Sequence, residues 1–224
     1  MLRAVRYAGQ IISVKFVTLH DGPLTDNPSW SSSLRGLVEP VGELIELPRQ
    51  NNSLSCLDAI YRASEHGNEE LIIFAEDDYF WLEPSLKGMC SALTQLPADY
   101  VTAYDHPVRY QPDYPLGADW PHWHTTIHLT AERHWRSQES TCMTFGAKAA
   151  TIRQDLLYFE RYHDNGKNVP DDRRLFRHLC GLGSYEEQDN PHRILLGPIP
   201  SLNTHLHLPW LAPLINWEAE ARAL

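Results

Sequence analysis

The run Leu71-Ile72-Ile73-Phe74-Ala75 passes without a break into Glu76-Asp77-Asp78 and then into Tyr79-Phe80-Trp81. Five consecutive apolar residues without helical spacing have the length of a buried strand and are too few for a core helix. A strand apolar on both faces points to a parallel sheet covered by helices. Such sheets bind ligands beyond the carboxyl ends of their strands. Three carboxylates at that place repel one another unless a cation lies among them, and a hard divalent ion with oxygen ligands is the usual solution. A loop of solvated acids fits this stretch alone equally well, so the rest of the chain has to decide.

The surrounding pattern alternates strand and helix. Residues 11–19 are rich in β-branched and apolar types and predict a first strand, closed by the turn residues His20-Asp21-Gly22-Pro23. Residues 24–40 predict a loop and a short helix, and Glu43 to Pro48 a second strand. A helix over about 54–67 presents Leu54, Leu57, Ile60 and Tyr61 on one face. After the acidic strand end, Glu83-Pro84-Ser85 opens a helix lined by Leu86, Met89, Cys90 and Leu93. Tyr100 to Tyr104 predicts a strand, 109–121 an ordered loop, and the segments starting at His124 and Arg133 a hairpin. Thr141 to Phe145 predicts a short strand, Lys148 to Arg161 a helix, and Asp171-Asp172 the start of a further helix lined by Leu175, Phe176 and Leu179. Ile194 to Gly197 predicts a last strand. The fold class is therefore α/β, with a mixed, mainly parallel central sheet flanked by helices. No linker interrupts 1–224, so one domain is expected, with halves meeting near residue 105.

Charge and cysteine usage narrow the function. Nineteen basic against 29 acidic residues give a net charge of −10 with no long basic run, which disfavours nonspecific nucleic-acid binding. An acidic enzyme acting on an anionic substrate needs a cation as intermediary. Cys56, Cys90, Cys142 and Cys180 are too scattered for zinc spacing or a disulfide framework, and read as reduced thiols of a cytoplasmic protein. No apolar run reaches spanning length, and Met1 to Arg6 is not followed by a signal-peptide core.

Several constellations carry chemistry. In extended backbone Glu76 and Asp78 share a face and Asp77 points away. His122-Trp-His124 and His205-Leu-His207 have the H-x-H spacing of metal sites, yet lone histidines more often pack or line a surface. His122, His124, His128 and His134 fit a hairpin or a pocket lining. His205 follows a strand and a Pro-Ile-Pro-Ser turn that can carry it to the same sheet edge as Asp78. Asp171 and Asp172 cap a helix on one reading and supply a general base for a hydroxyl on the other. The absence of G-x-x-x-x-G-K-[ST], G-x-G-x-x-G and G-x-S-x-G argues against P-loop enzymes, ordinary dinucleotide enzymes and α/β-hydrolases.

Glu76-Asp77-Asp78 after a strand resembles the acid-x-acid motif of glycosyltransferases with the GT-A fold, a Rossmann-like fold. Arg49-Gln50-Asn51-Asn52-Ser53 resembles the segment that leads to that strand. The blocks Tyr104 to Pro107, His134 to Arg136, Ser140 to Phe145, Pro170 to Phe176, Pro198 to His205, and Trp210 to Pro213 with Trp217 resemble a glycosyltransferase-like group of bacteria and phages. Their order from about residue 44 to 217 carries the resemblance, while Glu in the first acid position departs from a strict D-x-D. It implies a single GT-A-like domain, with a nucleotide-sugar and metal half at about 1–105 and an acceptor half at about 106–224. It implies a donor nucleoside-diphosphate sugar, UDP-sugar favoured, and Mn²⁺ or Mg²⁺ held by Glu76, Asp78 and His205. Asp172, or else Asp171, becomes the base. Thr18, His20, Asn52, Asp77 and Asp78 fall near the nucleotide, and His106, Trp135 and Met143 near the acceptor. The acceptor is a glycan or a hydroxymethylated base of DNA; the charge weighs against the second. A metal-dependent hydrolase or nuclease built on the histidines, and a non-catalytic glycan-binding protein, are the rival readings.

Overall fold

The structure, a computed structural model, describes residues 1–26, 28–110, 125–186 and 188–223. The chain opens with α1 (Leu2–Gly9), which buries Ala4, Val5 and Ala8 on one side. Ile11 and Ile12 donate their amides back to the Ala8 carbonyl at 2.8 and 2.9 Å and leave their side chains 53% and 39% exposed. The helix end therefore consumes residues expected to begin a strand, and β1 is Val17–Asp21, including the His20-Asp21 pair expected to turn. α2 (Pro28–Val38) crosses to β2 (Glu43–Leu47), which pairs parallel to β1 from Val17↔Glu43 to Asp21↔Leu47.

α3 (Asn52–Ser64) is capped by Asn51, whose side chain accepts from the Leu54 amide at 2.9 Å. It buries Ser53, Ile60 and Ala63, while Leu54 and Tyr61 stay 38% and 37% exposed, so the buried face is rotated from the apolar stripe in the sequence. β3 (Leu71–Ile73), β4 (Tyr79–Trp81), α4 (Ser85–Gln95) and β5 (Tyr100–Thr102) follow. The expected hairpin is present as β6 (Ile127–Leu129) and β7 (His134–Ser137), with His128 and His134 on it. His122, His124 and most of the expected loop 109–121 lie outside the described residues. β8 (Phe145–Lys148) starts where a strand was expected to end, because Thr141 to Thr144 forms a turn. The single helix expected over 148–161 is α5 (Ala149–Gln154) and α6 (Leu156–Arg161). They break at buried Asp155, whose carboxylate takes the Tyr100 hydroxyl (2.7 Å) and the Arg193 guanidinium (2.8 Å). α7 (Asp172–Leu179), β9 (Leu195–Ile199), β10 (Asn203–His205) and α8 (Trp217–Arg222) complete the order.

The main sheet has the order β3-β8-β5-β9-β7-β6. Only β5–β9 is parallel; the other four pairings are antiparallel. The expectation of a mainly parallel sheet is thus corrected to a mixed one. The returning strand β8 inserts between β3 and β5 and runs against both. Burial on both faces does not require parallel neighbours. Alternate side chains of each strand reach opposite faces, so Leu71, Ile73, Val101 and Leu196 join a core with α1 and α4. Ile72, Tyr100 and Leu195 join a second core with α3 and α5–α7. β4 leaves this sheet and pairs antiparallel with β10. Among the described residues no helix is long and apolar enough to cross a membrane.

Candidate active site at the acidic strand end

β3 is prolonged by one bond, from the Phe74 amide to the Phe145 carbonyl at 2.7 Å. The chain then turns through Glu76-Asp77-Asp78 into β4. The β4–β10 register sets His205 opposite Tyr79, and the Leu206 amide donates to the Asp78 carbonyl at 2.8 Å. Asp78 Oδ2 and His205 Nε2 are consequently 3.0 Å apart. The His205 ring meets Tyr79 edge-on at 5.1 Å, and its buried Nδ1 has no hydrogen-bond partner among the described residues. The turn expected to carry His205 to the sheet edge does so. Ser201 Oγ accepts from the Asp105 amide at 2.8 Å and reaches the Ala103 and Asn203 carbonyls at 3.0 and 2.6 Å, fastening the approach to β10 onto the end of β5.

Burial pushes the Glu76 carboxyl up to about 7, with repulsion from Asp78, Asp77 and Asp172 added in that order. Asp172 is thus close enough for its charge to be felt at Glu76. The native state keeps a proton on Glu76 that an unfolded chain releases near 4.5. Stability then falls as pH rises from about 4.5 to about 7 and is level above that, as far as this group decides it. Glu76→Gln is expected to remove this slope and to melt above the parent protein at pH 8. Thermal melts between pH 5 and 8 check it, and an unchanged slope in the variant counts against the assignment.

Asp172 is the acid most tightly held. Its Oδ1 accepts from Thr141 Oγ1 (2.5 Å) and the Met143 amide (3.1 Å), and its Oδ2 from Ser140 Oγ and the Thr141 amide (3.1 Å). The turn so gripped has φ of +50° at Cys142 and +54° at Met143, with the Thr144 amide bonded to the Thr141 carbonyl at 3.1 Å. Two successive left-handed residues without glycine or asparagine are strained and persist only where surrounding bonds enforce them. Asp171 occupies the cap position of α7 without a side-chain capping bond and lies 3.4 Å from Arg174 Nη1. The expected capping by this pair is not made.

His106 stands between the rings of Tyr104 (5.2 Å) and Trp210 (5.3 Å). Burial pushes it down to about 4; Arg109 and His205 push the same way and Asp172 opposes them. It is neutral at pH 7, and its Nδ1 accepts from the Val108 amide at 3.1 Å, leaving the proton on Nε2. Trp135, expected beside the acceptor, is 0% exposed and donates to Thr130 Oγ1 at 3.3 Å, because the β7 pleat turns it into the core. Met143 is 8% exposed and packs in the second core. Burial pushes the thiol of Cys142, on the same turn, up to about 12, where it is no nucleophile at neutral pH.

Of the residues expected near a nucleotide, Thr18 lies within β1 opposite Leu44, and Asn52 is the exposed first residue of α3. His20 lines a cavity of about 550 Å³ with Asp21, Gly22, Pro23, Asp26, Trp30, Ser31 and Gln50. Partial burial pushes the Asp21 carboxyl up, but three backbone amides, those of Arg49, Gln50 and Asn51 at 2.9, 2.7 and 2.7 Å, outweigh it and hold that carboxyl below its ordinary value. Sequence reasoning missed Asp26, Trp30 and Gln50; an exposed-type Trp within a Ser- and Pro-rich connection was the one available sign.

Asp78 and His205 offer an oxygen and an imidazole nitrogen side by side, a donor pair that suits Mn²⁺. Among the described residues no three His, Cys, Asp or Glu side chains gather around one point, so Glu76 is not drawn in with that pair. Two protein ligands fit an ion that completes its shell with substrate phosphate and water.

The fold and this contact together define a mixed α/β protein with an aspartate–histidine pair where β3 ends and β4 pairs with β10. No protein-family model, curated protein or solved structure matches the chain.

Proposed function

We propose that the chain is a glycosyltransferase of the GT-A type, moving a sugar from a nucleoside-diphosphate sugar to an acceptor hydroxyl. The observation that carries this reading is the contact between Asp78 and His205, created by the pairing of β4 with β10 at the end of the acidic strand. On this reading residues 1–105 form the donor half, with the cavity beside His20 for the nucleoside, and 106–224 the acceptor half. Asp78 and His205 hold Mn²⁺ or Mg²⁺ against the diphosphate. The ion supplies Lewis-acid stabilisation of the leaving diphosphate charge. Asp77 adds negative potential that draws the cation in. His106, neutral and half-buried, offers its Nε2 proton to an acceptor oxygen.

The Asp172 charge reaches Glu76, whereas Asp171 pairs with Arg174, which favours Asp172 as the acid nearer the chemistry. A glycan is the favoured acceptor, since the charge of −10 opposes a DNA surface.

Thermal shifts with UDP-, GDP- and TDP-sugars, each with and without Mn²⁺, test the proposal. A ligand that binds only the native state raises its melting temperature. We expect stabilisation by at least one nucleotide sugar and only when Mn²⁺ is present. Stabilisation by none of them rejects the transferase; cleavage of a substrate with no sugar donor supports the hydrolase instead.

A further inference from the structure

We infer that the cavity beside His20 selects a guanine base, making the donor a guanosine-diphosphate sugar. The inference rests on the transferase reading for the diphosphate and the sugar, but the base preference comes from the cavity lining alone.

The cavity, about 550 Å³ in volume and largely open to solvent, has room for a flat base laid against its wall. Its wall carries Trp30, 46% exposed, with its ring centroid 4.9 Å from that of His20. An exposed indole beside an imidazole is a surface on which a flat base stacks. Among the described residues the lining contains two carboxylates, Asp21 and Asp26, and no Lys or Arg. Such a wall repels phosphate, so it suits the nucleoside end of a nucleotide rather than its diphosphate.

The two carboxylates differ. Asp21 is spent on the amides of Arg49, Gln50 and Asn51, and fixes Gln50 at φ +47° on the cavity rim. Asp26 ends the short 3-10 turn Leu24–Asp26 and is exposed. An ionised carboxylate only accepts hydrogen bonds, through two oxygens that match a pair of adjacent donors. Guanine alone among the common bases has such a pair, N1–H beside the 2-amino group. Uracil and thymine set one N–H between two carbonyls, which a carboxylate repels. Adenine and cytosine set one amino group beside a ring nitrogen that also accepts. The Gln50 amide adds a group able to donate to a base carbonyl.

Calorimetric titration of the full chain tests this with GDP, UDP, CDP and ADP in Mn²⁺, and with guanosine and uridine without metal. We expect GDP to bind about tenfold or more tightly than the other three, as a site built around hydrogen bonds rejects a base that cannot make them. Asp26→Asn, an exposed and nearly isosteric change, is expected to weaken GDP by about tenfold, to the level of UDP. UDP binding as tightly as GDP, or a GDP preference that survives Asp26→Asn, overturns the inference. The two readings separate cleanly. Metal-dependent transfer from a UDP-sugar keeps the transferase and removes guanine selection. Guanosine binding that Asp26→Asn abolishes, without transfer from any nucleotide sugar, keeps the cavity and removes the transferase. Binding of none of these ligands removes both.

Discussion

Asp78→Ala is expected to weaken Mn²⁺-dependent binding of a nucleoside diphosphate by at least about 100-fold, the upper range for losing even an outer partner of a metal ligand. The fold should survive. Asp78 is 55% exposed at its side chain and its partner His205 is 30% exposed, and ion pairs open to water to that extent contribute little to stability. The bond that fastens β10 to this position uses the Asp78 carbonyl, which alanine keeps. A melting temperature within about 2 °C of the parent, read by circular dichroism without ligand, is therefore the control. His205→Ala should lose binding to the same degree, with a somewhat larger stability cost because the ring packs on Tyr79. Parent-like, metal-dependent nucleotide binding by Asp78→Ala would falsify the assignment. Loss of binding in Asp78→Ala but not in His205→Ala would leave a site held by the carboxylate alone.

The acidic strand end was legible in the sequence because its two components are local. Leu71 to Phe74 need only apolar neighbours to form a strand, and Asp77 and Asp78 just beyond are kept at the surface by their charge. The hairpin at His134 and the helix at Ser85 were legible for the same reason, since alternation and a proline-led start are written within a few residues. Strand direction was not. Val101 carries the same apolar character whether the neighbour is β8 or β9, and nothing local tells the chain that β8 will insert between β3 and β5. The start of β1 failed because Ile11 and Ile12 are strand formers by type, but the preceding helix took their amides first.

Within the site the same division holds. His205 could be placed from its distance past a strand and a turn. Trp135 could not, because an aromatic residue between His134 and Arg136 gives no sign of which side of the pleat faces the core. The cavity was missed because its lining comes from four separate stretches, around His20, Asp26, Trp30 and Gln50, none of which has a motif.

Asp172 shows most sharply what spacing conceals, and it yields the second large effect. At the start of a helix an aspartate reads as a cap or a base. In the structure its partners lie on the Ser140–Met143 turn, and all four strong donors there converge on its carboxylate. Asp172→Ala leaves those donors, among them buried Thr141, without an acceptor. Hydrogen bonds to a charged group contribute about 1.5–3 kcal/mol each and do not add fully, so a loss of about 3 kcal/mol is expected. For a chain of this length that lowers the melting temperature by roughly 6–12 °C. Asp172→Asn keeps one accepting oxygen and should lose about half as much. Transfer should stop in both variants, with donor binding retained in Asp172→Asn, so activity alone does not tell a base from an anchor of the strained turn. Thr141→Val does. It leaves the carboxylate in place and removes one donor that holds it. An anchoring role predicts that Thr141→Val loses both stability and turnover, since Cys142 and Met143 are freed from their left-handed conformations. A purely basic role predicts that turnover persists. Given two oxygens already engaged by the turn, we expect the first outcome; full activity in Thr141→Val would show that the turn does not need its grip.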